Sequence, residues 1–207
     1  MTERRPRFPG AARSLLRDAV LDAAGRTVLE VGWQAARMAD IAAAVGVSRQ
    51  TLYAEFGSKQ ALMQALVVRE AQRLVEALGA VLQDHPDDAG AAVRAGCEFV
   101  LRRSRADDLV KTIVSGPDET ELLPLVTTEA APIVGLISRA FTDHFGRCRP
   151  GTEQRRAELV GDTLARLIIT HVLLPDHAVE FAAEGIAEVL GSYLREMTAD
   201  AGRPRET

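Results

Sequence analysis

The side chains with the clearest chemical potential lie close together, between residues 37 and 59. They combine guanidinium and ammonium cations with amide and hydroxyl donors: Arg37, Ser48, Arg49, Gln50, Thr51, Tyr53 and Lys59. Arginine and lysine bind phosphate oxygens, and a glutamine side chain can make a two-point contact with the edge of an adenine base. These residue types in one short segment predict contacts with double-stranded DNA.

Two short helices joined by a tight turn would position these donors. The second helix of the chain is predicted over residues 37–45, and the third begins at Ser48, a good N-cap, and ends near Phe56. Gly46 can adopt the left-handed backbone that ends a helix. Leu52 and Phe56, four residues apart, face the core. The outward face near the start of the third helix then consists of Arg49, Gln50, Tyr53 and Ala54.

This segment resembles the DNA-binding motif of the TetR family of bacterial repressors. The matching residues are Gly32-Trp33, Ile41-Ala42, Gly46-Val47-Ser48, Thr51-Leu52-Tyr53, Phe56, Ser58-Lys59 and Leu62. The rest of the chain is similar to the family only in architecture. The resemblance implies an all-α fold, with an N-terminal three-helix DNA-binding domain over residues 1–57 and a C-terminal helical bundle over residues 58–200 for effector binding and dimerisation.

Three positions depart from the family pattern. Arg37 stands where members usually have a serine or threonine, so the N-cap of the second helix is expected to be lost, at about 0.5–2 kcal/mol of local helix stability. Glu55 replaces a frequent histidine and is expected to turn away from phosphate or to pair with arginine or lysine. Gln50 stands where a small residue is common, and it becomes the candidate for reading a base.

The distribution of charge favours a polyanion-binding N-terminus. The net charge is −4 over 207 residues, but residues 1–60 carry a positive balance and the remainder a negative one. The first seventeen residues contain five arginines: Arg4, Arg5, Arg7, Arg13 and Arg17. A basic head on an acidic body suits a nucleic-acid-binding module, and a solvated charged tail is the open alternative.

The rest of the chain is also predicted to be helical, because apolar residues recur every three or four positions. The first helix is predicted over residues 11–31, with a buried stripe of Leu15, Leu16, Ala19, Val20, Ala23, Ala24 and Val28. Ser58 is predicted to cap a long fourth helix that ends near residue 84. Further helices are predicted over residues 89–104, 107–114, 122–145 (one or two helices), 153–174 and 178–197, with a loop over residues 146–151.

The resemblance implies a ligand cavity inside the C-terminal bundle. Polar or aromatic side chains on otherwise apolar helices are the candidate contacts: Phe99, Arg102, Thr112, Phe141, His144, Thr170 and His171. For each of them, ordinary packing or surface exposure is the alternative. The scarcity of charge inside the last helices favours an apolar or amphipathic ligand.

The last two helices are predicted to form a dimer surface. One apolar series is Val179, Ala182, Ala183, Ile186, Val189, Leu190, Tyr193, Leu194 and Met197. The preceding helix carries another: Leu164, Leu167, Ile168, Val172, Leu173 and Leu174. Because both apolar faces must be buried, we expect the two helices of one copy to pack against the same two helices of a second copy, as a four-helix bundle across a two-fold axis. The alternative is that both helices only close the core of the monomer.

These observations predict a ligand-responsive transcriptional regulator, a repressor released from a near-palindromic operator by a small molecule. Its expected partners are operator DNA, a second copy of itself and an unidentified effector, without a cofactor, a metal or a membrane. No run approaches the ~20 apolar residues of a membrane span, and no apolar signal follows the basic start, so a cytoplasmic protein is expected.

The alternative functions differ in how well they fit the sequence. A DNA-binding adaptor without a ligand stays open, as does activation in place of repression. A small helical enzyme is disfavoured, since the chain lacks GxSxG, P-loop, GxGxxG and HExxH motifs, and its four histidines and two cysteines have no metal-ligand spacing.

Overall fold

The computed structural model describes residues 10–116, 119–148 and 153–200, and regular structure in these ranges is entirely helical, which confirms the all-α class. The helices are α1 Gly10–Val31, α2 Met38–Ala44, α3 Arg49–Phe56, α4 Lys59–Gln83, α5 Ala89–Ala106, α6 Asp108–Ser115, α7 Glu119–Leu122, α8 Ala131–Cys148, α9 Gln154–Leu173 and α10 Val179–Asp200, with a 3-10 helix at Leu123–Val126. None of the described helices is long and apolar enough to cross a membrane.

The chain divides into two compact units after Val67. The predicted boundary at residue 57 separates DNA binding from effector binding and dimerisation, and it stays a prediction. In the first unit, α2 packs against both α1 and α3. The core of the first unit consists mainly of aliphatic side chains around one tryptophan: Val20, Leu21, Ala24, Val28, Trp33, Ile41, Leu52, Leu62 and Leu66.

The buried stripe of α1 differs from the predicted one near the start of the helix. Leu15 is 72% exposed and Ala19 is also exposed, whereas Leu21, absent from the prediction, is buried. Leu15 lies five residues before the buried Val20, which places it about 140° around the helix axis. The prediction that Leu15 and Ala19 face the core is therefore wrong.

The turn between α2 and α3 has the predicted left-handed glycine. Gly46 has φ 73°. Its N–H donates to Ala43 O at 3.1 Å, and the N–H of Val47 donates to Ala42 O at 3.0 Å. This is the Schellman pattern, in which the last carbonyls of a helix are satisfied by the two residues after it. The turn thus closes α2 and sets the direction in which α3 begins.

In the second unit, α8 packs along α9, and α5 packs along α10 and against α9. Large apolar side chains fill this bundle: Leu78, Leu82, Leu101, Phe141, Phe145, Leu164 and Ile168. The predicted loop at residues 146–151 is wrong at its start, because α8 continues through Gly146 to Cys148. The last part of that predicted loop lies outside the described residues.

The apolar series assigned to a dimer surface is largely buried within one chain. Val179, Ala182, Ala183, Ile186 and Leu194 are at most 6% exposed, and Val179 and Ala182 pack on Leu101 of α5. For these residues the alternative, a role in the monomer core, is correct. Among the residues of this unit whose burial the structure describes, the exposed large apolar side chains are instead Leu159, Leu174, Phe181 and Val189.

At Gly161, α9 lies close against α8, and replacement of this glycine by alanine should be costly. A Cβ atom there would lie 2.5 Å from Thr142 Oγ1 and 2.6 Å from the backbone oxygen of Ser138. Because backbone cannot move aside cheaply, we expect Gly161→Ala to lower the free energy of unfolding by about 1–3 kcal/mol in urea titrations. Gly79→Ala on α4, where a Cβ meets nothing within 4 Å, should be neutral or stabilising. Equal effects of the two changes would contradict this close packing.

Candidate nucleic-acid interface

The N-terminus of α3 is fixed by two hydroxyl residues. Ser48 is the N-cap, as predicted, and its Oγ accepts a hydrogen bond from the N–H of Thr51 at 3.0 Å. The two hydroxyl oxygens, Ser48 Oγ and Thr51 Oγ1, lie 2.8 Å apart. Both residues were predicted to contact DNA, and the structure shows that they also hold the first turn of α3 in place.

The outward face of α3 presents the strongest donors to solvent. Arg49, Gln50 and Tyr53 are exposed, whereas Leu52 and Phe56 are buried on the opposite side, as predicted. The Arg49 guanidinium carbon lies 5.3 Å from the centre of the Tyr53 ring, a cation–π contact between residues one turn apart. The contact restricts the positions of two exposed side chains on this face.

Arg37 precedes α2 as its N-cap residue without capping it. Its backbone is extended (φ −113°, ψ 139°), and its side chain accepts no hydrogen bond from the helix. The predicted loss of the side-chain cap is confirmed. The guanidinium group is exposed beside the first turn of α2, where its charge is available to a phosphate.

Glu55 is neutralised by α1, which confirms the expectation that it pairs with a basic residue. Its carboxylate accepts hydrogen bonds from Arg13 Nε at 2.8 Å and from Arg17 Nη1 at 3.1 Å. Sequence analysis assigned no role to Arg13 and Arg17 beyond general basicity. Their spacing of four residues, which puts them on one side of α1, was the available signal.

Lys59 has partners within the protein that sequence analysis did not foresee. Its Nζ donates to the backbone oxygen of Trp33 and, at 3.3 Å, to that of Gln34, and it lies 4.2 Å from the centre of the Trp33 ring. Trp33 is 5% exposed and lies in the core of the first unit. An ammonium group at the start of α4 therefore satisfies carbonyls that follow α1, and phosphate binding by Lys59 stays a prediction.

Removing this ammonium group should destabilise the first unit. Lys59→Met keeps the apolar stem and removes the hydrogen bonds that the ammonium group donates to two carbonyls, so we expect about 1–3 kcal/mol less stability in urea titrations. Lys111→Met is the matched control, because Lys111, the only other lysine of the chain, pairs with Asp108 on the surface, where such pairs contribute about 0–1 kcal/mol. If Lys59→Met is as stable as the parent but binds DNA weakly, Lys59 binds phosphate and does not stabilise the fold.

The predicted ligand contacts lie in different environments. Phe141 and His144 are buried in the bundle, and Phe99, Thr112 and His171 are half-buried. Arg102 and Thr170 lie on the outer surface. Arg102 pairs with Glu180 and, at 3.6 Å, with Glu98. Thr170 donates to Arg166 O. Of the predicted set, Phe141 and His144 are therefore the residues placed deepest in the interior.

The interior of the bundle is almost free of polar groups. Ser104, Thr142 and His144 are the buried polar side chains among the described residues. Burial raises the pKa of the Cys97 thiol to about 12, with the neighbouring charge of Glu98 as the smaller cause, so this thiol stays neutral.

The three-helix unit with a recognition helix that exposes Arg49, Gln50 and Tyr53 defines a helix-turn-helix DNA-binding protein. Residues 20–66 match the family model described as "Bacterial regulatory proteins, tetR family", and residues 88–192 match the one described as "Bacterial Tetracyclin repressor, C-terminal domain". The chain belongs to the TetR family of transcriptional regulators, as its motif indicated.

Relatives and solved structures agree with this assignment. The chain is 34% identical to HTH-type transcriptional regulator AlkX of Mycobacterium tuberculosis (strain ATCC 25618 / H37Rv), over 90% of this chain and 88% of the relative. A crystal structure of the TetR family repressor AlkX from Dietzia sp. strain DQ12-45-1b, implicated in biodegradation of n-alkanes, superposes with TM-score 0.74 at 32% identity, covering 87% of this chain and 98% of that one. RolR in complex with resorcinol has TM-score 0.64 at 16% identity, over 96% and 99% of the two chains, and shares the fold.

Proposed function

We propose that this regulator is a cytoplasmic repressor that binds a near-palindromic operator as a homodimer and is released by an apolar or amphipathic small molecule. In this proposal residues 1–57 bind DNA, and residues 58–200 bind the effector and dimerise. The observation that carries the proposal is the exposure of Arg49, Gln50 and Tyr53 together on one face of a capped helix.

The donors divide by the part of DNA that each can reach. Arg37, Arg49 and the hydroxyl of Tyr53 suit phosphate oxygens, which are spaced regularly along both strands and carry no sequence information. Gln50, exposed in the first turn of α3, suits the edge of a base in the major groove. We therefore assign affinity mainly to the first group and specificity to Gln50, with Ser48, Thr51 and Lys59 as further predicted contacts.

The exposed apolar residues of the last two helices support self-association. Phe181 is 65% exposed and Val189 is 77% exposed, and both lie on the side of α10 that faces away from its own core. Leu159 at the start of α9 and Leu174 after its end are also exposed. A second copy that covers these side chains would complete a bundle and place two α3 helices one turn of DNA apart, about 34 Å.

The chemistry of the bundle interior supports the proposed class of effector. Its core side chains are aliphatic and aromatic, and its few buried polar groups are uncharged hydroxyls and His144. The similar Dietzia repressor is described as implicated in biodegradation of n-alkanes. We extend this to the present chain as a proposal that long-chain hydrocarbons or their oxidised derivatives bind near Phe141 and His144.

Binding to a duplex library over a range of salt concentrations tests the DNA-binding part of the proposal. We expect selective binding to inverted repeats, with log affinity falling linearly against log salt by about 0.9 for each phosphate contacted. A flat salt dependence would contradict the proposed interface.

Thermal denaturation with n-alkanes, alkanols and fatty acids tests the effector. A ligand that binds only the folded state raises the midpoint of unfolding, and the same ligand should release the operator. A protein that binds DNA but gives neither response would be the adaptor without a ligand.

A further inference from the structure

A cluster of three charged side chains joins α1 to the recognition helix. Glu55 of α3 is the acceptor, and Arg13 and Arg17 of α1 are the donors. The glutamate side chain is 14% exposed, whereas the side chains of Arg13 and Arg17 are 65% and 41% exposed. The two cations thus lie outside a largely covered carboxylate, and the cluster as a whole is positive.

The two arginines are held in different ways. The Arg17 guanidinium carbon lies 4.7 Å from the centre of the Phe56 ring, so this side chain is fixed by packing as well as by charge. Arg13 meets Glu55 through Nε alone. The side chain of Arg13 is 65% exposed, so it stays largely accessible to a ligand while Nε is bound.

The position of the cluster relates it to the DNA-binding surface. Glu55 follows Tyr53 by two residues, about 200° around the axis of α3, so Arg13 is held against the flank of α3 opposite to Tyr53. A helix that enters the major groove has a sugar-phosphate strand on either side. A cation on the flank of that helix therefore lies where a phosphate is expected, and terminal amino groups in the plane of a guanidinium match two phosphate oxygens.

We propose that Arg13 binds a DNA phosphate and that Glu55 is its positioning residue, an inference that rests on the proposed DNA-binding function. The carboxylate holds Nε and aims the free end of the guanidinium before DNA arrives. The Arg13 side chain therefore loses conformational entropy when the protein folds. Because this entropy is already lost, it does not reduce the affinity for DNA. This explains why a carboxylate, which phosphate repels, is tolerated in the recognition helix.

The sign of the Glu55→Gln effect separates positioning from simple charge. Removing the carboxylate adds one positive charge, and charge alone would strengthen DNA binding. Loss of positioning weakens it, by about two- to tenfold per protomer, since ordering one long side chain then accompanies binding. We expect the weaker binding. In the Arg13→Gln background, the same Glu55→Gln change should no longer weaken binding, because the positioned group is gone.

The measurement is fluorescence anisotropy with a labelled operator duplex over a range of salt concentrations, together with thermal unfolding of each variant. Arg13→Gln, which keeps the Arg17–Glu55 pair, should stay folded and reduce the slope of log affinity against log salt by about one per protomer. Arg26→Gln is the matched control. It removes an exposed arginine of α1 thirteen residues further on, about 20 Å along the helix axis, and should leave the slope unchanged.

The possible results are distinguishable. An unchanged slope for Arg13→Gln would overturn the phosphate contact, and unchanged or tighter binding by Glu55→Gln in the parent background would overturn the positioning role. If Glu55→Gln does not fold, the slope of Arg13→Gln alone decides the phosphate contact. A parent protein without salt-dependent affinity for any duplex would overturn the DNA-binding function itself.

Discussion

Replacing Phe181 and Val189 together with glutamate should produce a folded monomer that binds its operator about 100- to 10,000-fold more weakly than the parent. Both side chains are exposed on α10, so the substitutions do not disturb the core of the chain. In the dimer they would place two charges per protomer in an apolar contact between copies, where unpaired charge is costly. A monomer binds one half-site and therefore lacks the additional affinity that a dimer gains from binding two half-sites at once.

Sedimentation velocity and operator binding on the same preparations test this expectation. Leu29→Glu is the control, because it adds a charge at an exposed apolar position of α1 and should leave the protein dimeric. Leu194→Glu is not informative, since Leu194 is 2% exposed within the chain and a charge there would unfold the monomer. A Phe181/Val189 double variant that sediments as a dimer would place the contact on another surface.

Gln50→Ala should relax base preference at one position in each half-site, by about 1–3 kcal/mol, without changing the salt dependence of binding. Gln50 is uncharged, so its removal does not change the number of counter-ions that are released when the protein binds DNA. Tyr53→Phe is the comparison. It retains the ring under the Arg49 guanidinium and removes only a hydroxyl suited to phosphate, so all sequences should weaken by a similar factor.

Selection from a randomised half-site library, with wild type and both variants, distinguishes these effects. If Gln50→Ala weakens every sequence equally, Gln50 contacts only the backbone of DNA. Specificity would then come from Arg49, from Thr51 or from the deformability of the operator.

Local features of the first unit were predictable because short-range rules determine them. The Ser48 cap, the left-handed Gly46 and the inward pair Leu52 and Phe56 each follow from residue type at a given position in a turn or helix. Pairing of Glu55 with a basic residue followed from electrostatics, since an unpaired carboxylate on a phosphate-binding helix is unfavourable. The identity of its partners depended on how α1 crosses α3, which no local rule supplies.

Burial in the second unit was harder to predict, because the spacing of apolar residues shows that a helix has an apolar face but not which other helix packs against it. Val189 and Leu194 belong to one apolar series, yet Val189 is exposed and Leu194 lies in the core. Lys59 shows the same limit for polar groups. Its residue type and its place in the motif predicted a contact with phosphate, and the carbonyls of Trp33 and Gln34 come near it only after the chain folds.

The burial of Cys97 makes the two cysteines of this chain chemically unequal. Cys148 is partly accessible at the end of α8, whereas Cys97 is enclosed in the bundle with a pKa of about 12. Thiolate is the reactive form toward alkylating agents, so a maleimide dye should label Cys148 first and leave Cys97 untouched while the bundle is closed. After Cys148 is blocked, the slow modification of Cys97 measures how often the bundle opens. A bound effector that fills the interior should lengthen this labelling time, which gives a covalent assay for ligands without DNA.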